Sequence, residues 1–364
     1  MIDRVHFENF KSLQQVTLQL GRLTALVGPN GCGKSSVLRG IHLLSQHALG
    51  VPPGMEEVIE VPGTSQRLMY RGRPGNMVLS IRNHDGDELA LEASVTAGKP
   101  AEETVSRPPT RSKAEEFASV AYLRLDASEM VKTSLVEDET PSVGPERGGL
   151  ASALAWMKGA AEDEFAQLTS DLRQVVPGVK RIRTLRERIA HRRMEKLDID
   201  GQPIWRPVDE SQIGDRFSIE FDDGSEVPAD LLSEGTVLAL GLLAKLREPG
   251  HPRVLLEPGR PRLFLLDDID RGLHLGAQVK LVETLRALMK LDPELQIVCT
   301  THSPYLLDLF EPDEVRVLAL DSERRTHARP LTEHPDFGKW KFGTQTGELW
   351  AALGEEWVIA GAAG

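Results

Sequence analysis

Gly28-Pro29-Asn30-Gly31-Cys32-Gly33-Lys34-Ser35-Ser36 lies between an apolar stretch, Leu23-Thr24-Ala25-Leu26-Val27, and a run in which Val37, Leu38, Ile41, Leu43 and Leu44 recur at helical spacing. The first flank reads as a buried strand and the second as a helix. Between them stands a glycine, four residues, then Gly-Lys-Ser, the pattern of a phosphate-cradling loop. Glycines let the backbone turn tightly so that its N–H groups converge on an anion, and the helix that follows adds its positive end. On this reading Lys34 contacts the β- and γ-phosphates of a nucleotide, and the Ser35 hydroxyl ligates Mg²⁺. Asn30, Gly31, Cys32, Gly33 and Ser36 line the cradle. The plainer alternative is a structural glycine turn; strand, helix and Lys-Ser together weigh against it.

Two further fragments fit the same site. Leu263-Phe264-Leu265-Leu266 reads as a fully buried strand that delivers Asp267 and Asp268 at its carboxyl end, where open α/β sheets place their ligands. Asp267 is expected to hold Mg²⁺ through water, and Asp268 to polarise an attacking water. Standing alone, two aspartates after a strand are more often a capped turn. Ile297-Val298-Cys299-Thr300-Thr301-His302-Ser303-Pro304 repeats the design, with His302 placed to donate to the γ-phosphate. A histidine after a strand is usually structural, so its assignment depends on the other motifs. Leu232-Ser233-Glu234-Gly235-Thr236 precedes the apolar run Val237–Leu246 and reads as a serine-capped helix N-terminus, itself an anion site. Together the fragments point to ATP.

Met1–Ser36 resembles the opening of SMC- and RecF-type ATPases: a first strand, Ile2-Asp3-Arg4-Val5-His6-Phe7, then Asn9-Phe10-Lys11-Ser12, then the Asn-Gly-x-Gly-Lys-Ser loop. Leu-Ser-Glu-Gly-Thr resembles the signature of the ABC ATPase superfamily. Gly272-Leu273-His274 with Thr301-His302-Ser303-Pro304 resembles a prokaryotic AAA branch that includes the ATPase halves of OLD-type nucleases and related anti-phage systems. The resemblance implies a P-loop NTPase fold, a two-lobed α/β ABC-type ATPase head that hydrolyses ATP as a homodimer. Lys34, Asp268 and His302 would be catalytic, Ser35 and Asp267 would hold the metal, and Lys11 would join the nucleotide contacts. Ser233 and the Gly235 N–H would complete the partner's site. Asp268 departs from the glutamate usual in the family, although RecF-like proteins also carry two aspartates, so slow hydrolysis or a required partner is expected. The glutamine that completes the family's Mg²⁺ shell has only Gln66 as a candidate, by position.

The chain's 364 residues exceed one typical domain. Residues 1–126 are expected to form a first lobe, with a hairpin of Met77–Asn83 and Glu88–Val95 around Asp85-Gly86, an exposed loop at Lys99–Lys113 and a strand at Val120–Leu125. Residues 127–215 read as a helical, partly basic insertion, with a Pro/Gly-rich stretch at Thr140–Gly149 and an amphipathic run from Leu150 to Val176. Residues 216–335 would restore the ATPase as its second lobe, and 336–364 form a tail whose Trp340, Trp350 and Trp357 are expected to pack on the head. No run approaches the roughly 18 apolar residues of a membrane span and no secretion signal opens the chain, so a cytoplasmic protein without membrane contact is expected. Cys32 and Cys299 show no zinc or disulfide spacing.

Basic residues number 43 against 55 acidic ones, which argues against nonspecific wrapping by nucleic acid. Lys180–Lys196 runs the other way: Lys180, Arg181, Arg183, Arg186, Arg188, Arg192, Arg193 and Lys196 face only Glu187 and Glu195. Ile182, Leu185 and Ile189 are spaced for one helix face, and a strand fits less well. The segment reads equally as a contact to the phosphate backbone of DNA or RNA or as a solvated face or patch for an acidic partner. About 60 residues follow His302, fewer than the acidic Toprim domain of OLD-type nucleases needs, so a nuclease or other effector is expected from a separate chain. The leading expectation is a nucleic-acid-linked ATPase of anti-phage defence or DNA repair. The other is a nucleotide-gated assembly module for a protein partner, without DNA contact.

Overall fold

A computed structural model describes residues 1–48, 69–70, 75–95, 102–108, 110–124, 126–135, 143, 149–199, 202–248, 263–271, 273–340 and 343–360. Gln66, Gly272 and nearly all of Thr140–Gly149 lie outside them. The chain divides into two units, Met1–Leu125 with Pro261–Gly364, and Asp126–Arg260.

Alternating apolar and polar residues make β1 (Ile2–Phe10) and β2 (Leu13–Gln19) half-buried antiparallel partners, with Val5, Phe7, Leu13, Val16 and Leu18 turned inward. Continuous apolar composition makes β3 (Leu23–Val27) buried at every residue. It leads into α1 (Lys34–His47), β4 (Gly75–Asn83), β5 (Glu88–Val95), β6 (Glu102–Ser106), α2 (Arg111–Ala118) and β7 (Val120–Arg124). The second unit contributes α3 (Ala127–Met130), β8 (Ser134–Leu135), α4 (Leu150–Ala160), α5 (Glu162–Val175), β9 (Val179–Ile199), β10 (Gln202–Phe221), β11 (Glu226–Pro228) and α6 (Glu234–Arg247). The first unit resumes with β12 (Leu263–Asp267), α7 (Leu275–Leu291), β13 (Gln296–Thr300), α8 (Pro304–Leu307), β14 (Val315–Leu320), β15 (Thr326–Pro330), α9 (Phe337–Trp340), α10 (Thr346–Leu353) and α11 (Glu356–Ala360).

In the first unit one sheet has the order β2-β1-β4-β5-β6, antiparallel throughout. The other has the order β15-β14-β3-β13-β12-β7, in which only the edge strand β15 runs antiparallel to its neighbour. Helix α1 packs against strands of both sheets, and its Val37, Leu38, Ile41 and Leu44 join one core with Phe7, Leu79 and Leu91 from the first sheet and Leu26, Leu265 and Val298 from the second. Each such side chain contributes roughly 1.5–3 kcal/mol by leaving water. Gly40 is what lets α1 approach: a Cβ there would stand 2.4 Å from the Phe7 ring.

The expected exposed loop at Lys99–Lys113 is corrected, because Glu102–Ser106 adds to β5 as an edge strand and Arg111 opens α2. Trp350 and Trp357 are buried, the latter edge-on to His334 at 5.1 Å and donating from Nε1 to the Gly354 carbonyl at 3.0 Å.

In the second unit the run Leu150–Val176 forms α4 and α5, broken at Ala161 (φ −143°). The helix expected over Lys180–Lys196 is instead part of β9, paired with β10 along its length. Residues three apart fall on opposite faces of a strand: Ile182 is buried, whereas Leu185 is 56% exposed. Strands β8 and β11 also pair with β10.

Helix α6 is apolar and buried almost all round. Its last residue, Arg247, reaches the fully buried Asp171 of α5 at 2.7 Å. Removing one partner of such a pair strands the other charge in the core, so Arg247→Met should cost about 3 kcal/mol, and Arg247→Met with Asp171→Leu should recover part of it. Urea unfolding of the three proteins checks this; a single variant as stable as the unmodified protein would mean that the pair contributes nothing.

Candidate nucleotide site

The loop between β3 and α1 turns on three left-handed glycines, Gly28 (φ 141°), Gly31 (φ 78°) and Gly33 (φ 102°). Two of them are also sterically required. A Cβ at Gly28 would meet the Leu318 carbonyl at 2.1 Å, and one at Gly33 would meet the Ser12 hydroxyl at 2.8 Å. Thr326 of β15 clamps the loop, its hydroxyl donating to the Cys32 carbonyl at 2.9 Å and its N–H to the Ser12 carbonyl at 3.2 Å. Helix α1 starts at Gly33 with no side-chain cap, which leaves its first N–H groups to a ligand or water. Asn30 and Gly31 are exposed at the rim, Cys32 and Gly33 are buried, and Ser35 and Ser36 are half-buried. Lys11, in a left-handed turn (φ 52°), lies with its ammonium 5.5 Å from the Phe10 ring centroid.

Lys34 curls over the loop, donating to the carbonyls of Gly28 at 2.8 Å and Pro29 at 3.0 Å. Burial lowers its pKa, against the opposing pull of Cys32, Asp268 and Asp267. Burial likewise raises the Cys32 thiol, partly countered by Lys34, and raises Cys299 within β13.

The parallel order of β7, β12 and β13, together with the start of α1, gathers three hydroxyls on one carboxylate. Asp267, 5% exposed, accepts on Oδ1 from Ser35 at 2.9 Å and Thr300 at 2.8 Å, and on Oδ2 from Tyr122 at 2.9 Å. Thr300 and Tyr122 were missed in the sequence reading. Their only sequence signal is a polar residue at the carboxyl end or middle of strands adjacent to β12. Burial, then the neighbouring Asp267, pushes the Tyr122 phenol up to about 12, so it remains a donor at physiological pH. Asp268 follows in a left-handed conformation (φ 50°), its N–H bonded to the Thr300 hydroxyl at 2.7 Å. His302 is exposed, and its N–H donates to Asp270 at 3.2 Å. The first unit thus brings Lys34, Ser35, Asp267, Asp268 and His302 to the carboxyl ends of neighbouring parallel strands. Ser233 and Gly235 belong to the second unit, where the Ser233 hydroxyl caps α6 by accepting from the Thr236 N–H at 3.2 Å.

A phosphate-type loop after the first strand of a parallel sheet, with a buried aspartate ending the strand two places away, defines a P-loop NTPase fold of the SMC-head type. The SMC head bound to the C-winged helix domain of ScpA has this fold, with a TM-score of 0.53 and 15% identity over 90% of this chain and 96% of that one. The SMC head domain of Thermotoga maritima gives a TM-score of 0.48 and 13% identity over 90% of this chain and 98% of that one. The chain belongs to the family described as "AAA domain, putative AbiEii toxin, Type IV TA system", which matches residues 23–308. Over 44 residues it is 50% identical to the OLD nuclease of Thermus scotoductus, a match covering 12% of this chain and 8% of that protein's length. The SMC/RecF-like and OLD-type resemblance read from the motifs therefore holds.

The basic segment looks different in three dimensions. Lys180, Arg181 and Arg183 converge on Glu220 at 2.9, 2.6 and 2.5 Å, and Arg186 pairs with the buried Asp215 at 2.9 Å. Arg188 is exposed, and the side chains of Arg192 and Arg193 lie outside the described residues.

Hydrogen bonds from Lys180, Arg181 and Arg183 hold the Glu220 carboxyl at about 2, below its ordinary 4.5. Because the folded value is depressed, its contribution to stability is full above about pH 4.5 and is lost as the pH falls toward 2. Glu220→Gln should therefore unfold at lower temperature than the unmodified protein at neutral pH, and the two melting curves should converge in acid. A gap that persists unchanged to the lowest pH would show that the charge of Glu220 is not what stabilises the hairpin base.

Proposed function

We propose that this chain is a Mg²⁺-dependent ATPase whose ATP-bound form dimerises. The observation that carries the reading is the Ser35 hydroxyl held 2.9 Å from the Asp267 carboxylate, directly behind the loop that holds Lys34. These are hard oxygen donors at the start of a helix. Among the described residues no group of three or more His, Cys, Asp or Glu gathers as a metal cage. A donor set this small suits Mg²⁺, which takes one or two protein oxygens and completes its shell with phosphate oxygens and water. When bound, the ion neutralises charge on the phosphate oxygens.

Lys34 adds a fixed positive charge to the same oxygens, and Tyr122 and Thr300 keep Asp267 in one orientation. Asp268 orients the attacking water from a side chain one methylene shorter than the family's glutamate, which favours slow turnover. His302 donates toward the γ-phosphate, and Lys11 adds a contact at the loop's rim. Ser233 and the Gly235 N–H act across the dimer, on the partner's nucleotide.

The likeness of 44 residues to part of an OLD nuclease supports a role in a nucleic-acid-linked process, anti-phage defence or DNA repair. A second reading, a nucleotide-gated module that acts on a protein partner without touching DNA, gains from the ion pairs that occupy Lys180, Arg181, Arg183 and Arg186. Salt-dependent binding to duplex DNA separates the two. No helix among the described residues is long and apolar enough to cross a membrane.

Lys34→Ala should abolish ATP binding or turnover, whereas Asp268→Asn should bind ATP and lose turnover, by about a hundredfold if water orientation is its task. By retaining ATP, Asp268→Asn should also accumulate a dimer visible by light scattering, and Ser233→Arg should prevent it. An Asp268→Asn protein that hydrolyses ATP at the unmodified rate removes its catalytic role. One that binds ATP tightly yet stays monomeric removes the shared site.

A further inference from the structure

Two loops carry the residues assigned to water and γ-phosphate: one after β12, described at 268–271 and 273–274, and 301–303 after β13. Three hydrogen bonds tie the first loop to the end of β13, the second loop to the first, and the second loop to α7. The Ile269 N–H donates to the Thr300 carbonyl at 3.1 Å, the His302 N–H to Asp270 at 3.2 Å, and the Ser303 hydroxyl to Gln278 Oε1 at 2.8 Å. Gln278, 8% exposed on α7, then donates from Nε2 to the Leu273 carbonyl at 3.1 Å. One buried amide thus holds both loops, accepting from one and donating to the other.

The second loop is gripped from its far side by the tail. Ser303 caps α8, its hydroxyl accepting from the Leu306 N–H at 3.3 Å. Helix α10 seats against α8 with no space between them: the Gly347 N–H donates to Asp308 at 2.8 Å, the buried Thr346 hydroxyl donates to the Phe310 carbonyl at 2.7 Å, and a Cβ on Gly347 would stand 1.8 Å from the Pro304 carbonyl. Pro304 directly follows the Ser303 that Gln278 holds. A displacement of α10 therefore reaches His302 within two residues of backbone and reaches the loop of Asp268 through one side chain.

We propose that Gln278 is a positioning residue for hydrolysis and that the C-terminal tail, through Gly347, sets the same two loops, so that tail position regulates turnover without altering nucleotide affinity. The inference rests on the ATPase reading of this site. Neither residue lies in the phosphate loop, so the first steps of binding are left to Lys34 and its neighbours. A contact of this kind carries coupling only if disturbing one end is felt at the other.

The first test needs no nucleotide. Amide hydrogen exchange of the full chain, unmodified and Gly347→Ala, should show faster exchange both at 301–307, beside the clash, and at 269–274, across the Gln278 bridge. Faster exchange confined to 301–307 would overturn the coupling whatever the enzyme does. The second test uses Mg-ATP with Gln278→Leu, Gln278→Glu and Asp268→Asn beside the unmodified protein. Gln278→Leu should lower kcat at least tenfold with nucleotide Kd within about twofold, and Gln278→Glu, which can still accept from Ser303 but cannot donate to Leu273, should fall between. Equal kcat for Gln278→Leu and the unmodified protein, with only a lower melting temperature, would make Gln278 a structural pin. Loss of turnover in Asp268→Asn beside unchanged turnover in Gln278→Leu sinks this inference alone. No ATP hydrolysis by the unmodified protein sinks the ATPase reading, and the exchange result then still decides the coupling.

Discussion

Asp267 is the point on which the first unit turns. A carboxylate taken out of water is expensive unless its oxygens are bonded, and here three hydroxyls from three elements meet it: Ser35 on α1, Thr300 on β13 and Tyr122 on β7. That requirement fixes the order of neighbours. Strand β12 must lie between β7 and β13 with the same direction, and α1 must begin close to its carboxyl end. The phosphate loop, the turn of Asp268 and the exposed His302 take their places from that arrangement.

Much of this was legible because the signals were local. The strand at Leu23–Val27, the helix faces of α1, the hairpin at β4 and β5, the buried run ending at Asp267 and the serine cap of α6 each declare themselves within a dozen residues. Tyr122 and Thr300 did not, because a hydroxyl in a strand acquires its meaning only from the neighbouring strand it faces. The edge strand β6 was hidden for a related reason: its pairing with β5 has no signature inside the segment itself.

The segment Lys180–Lys196 failed more instructively. Its apolar residues fit a helical stripe by spacing, yet the competing constraint, twenty residues of antiparallel pairing with β10, has no signature inside the segment itself. Its positive charge also misled, since the balancing carboxylates, Asp215, Glu220 and Glu226, come from strands β10 and β11. A charge count over a window measures sequence proximity, whereas the field at a surface depends on what the partner strand contributes.

Both thiols of the chain are buried in the first unit, Cys32 within the phosphate loop and Cys299 within β13, and burial raises the pKa of each. The thiolate is the form that attacks an alkylating reagent, so burial slows the reaction of both unpaired cysteines in the folded protein. A cysteine introduced at the surface can then take a single fluorophore or spin label without first removing the natural pair, and the natural pair itself becomes a silent register of unfolding, reacting only in molecules whose parallel sheet has come apart.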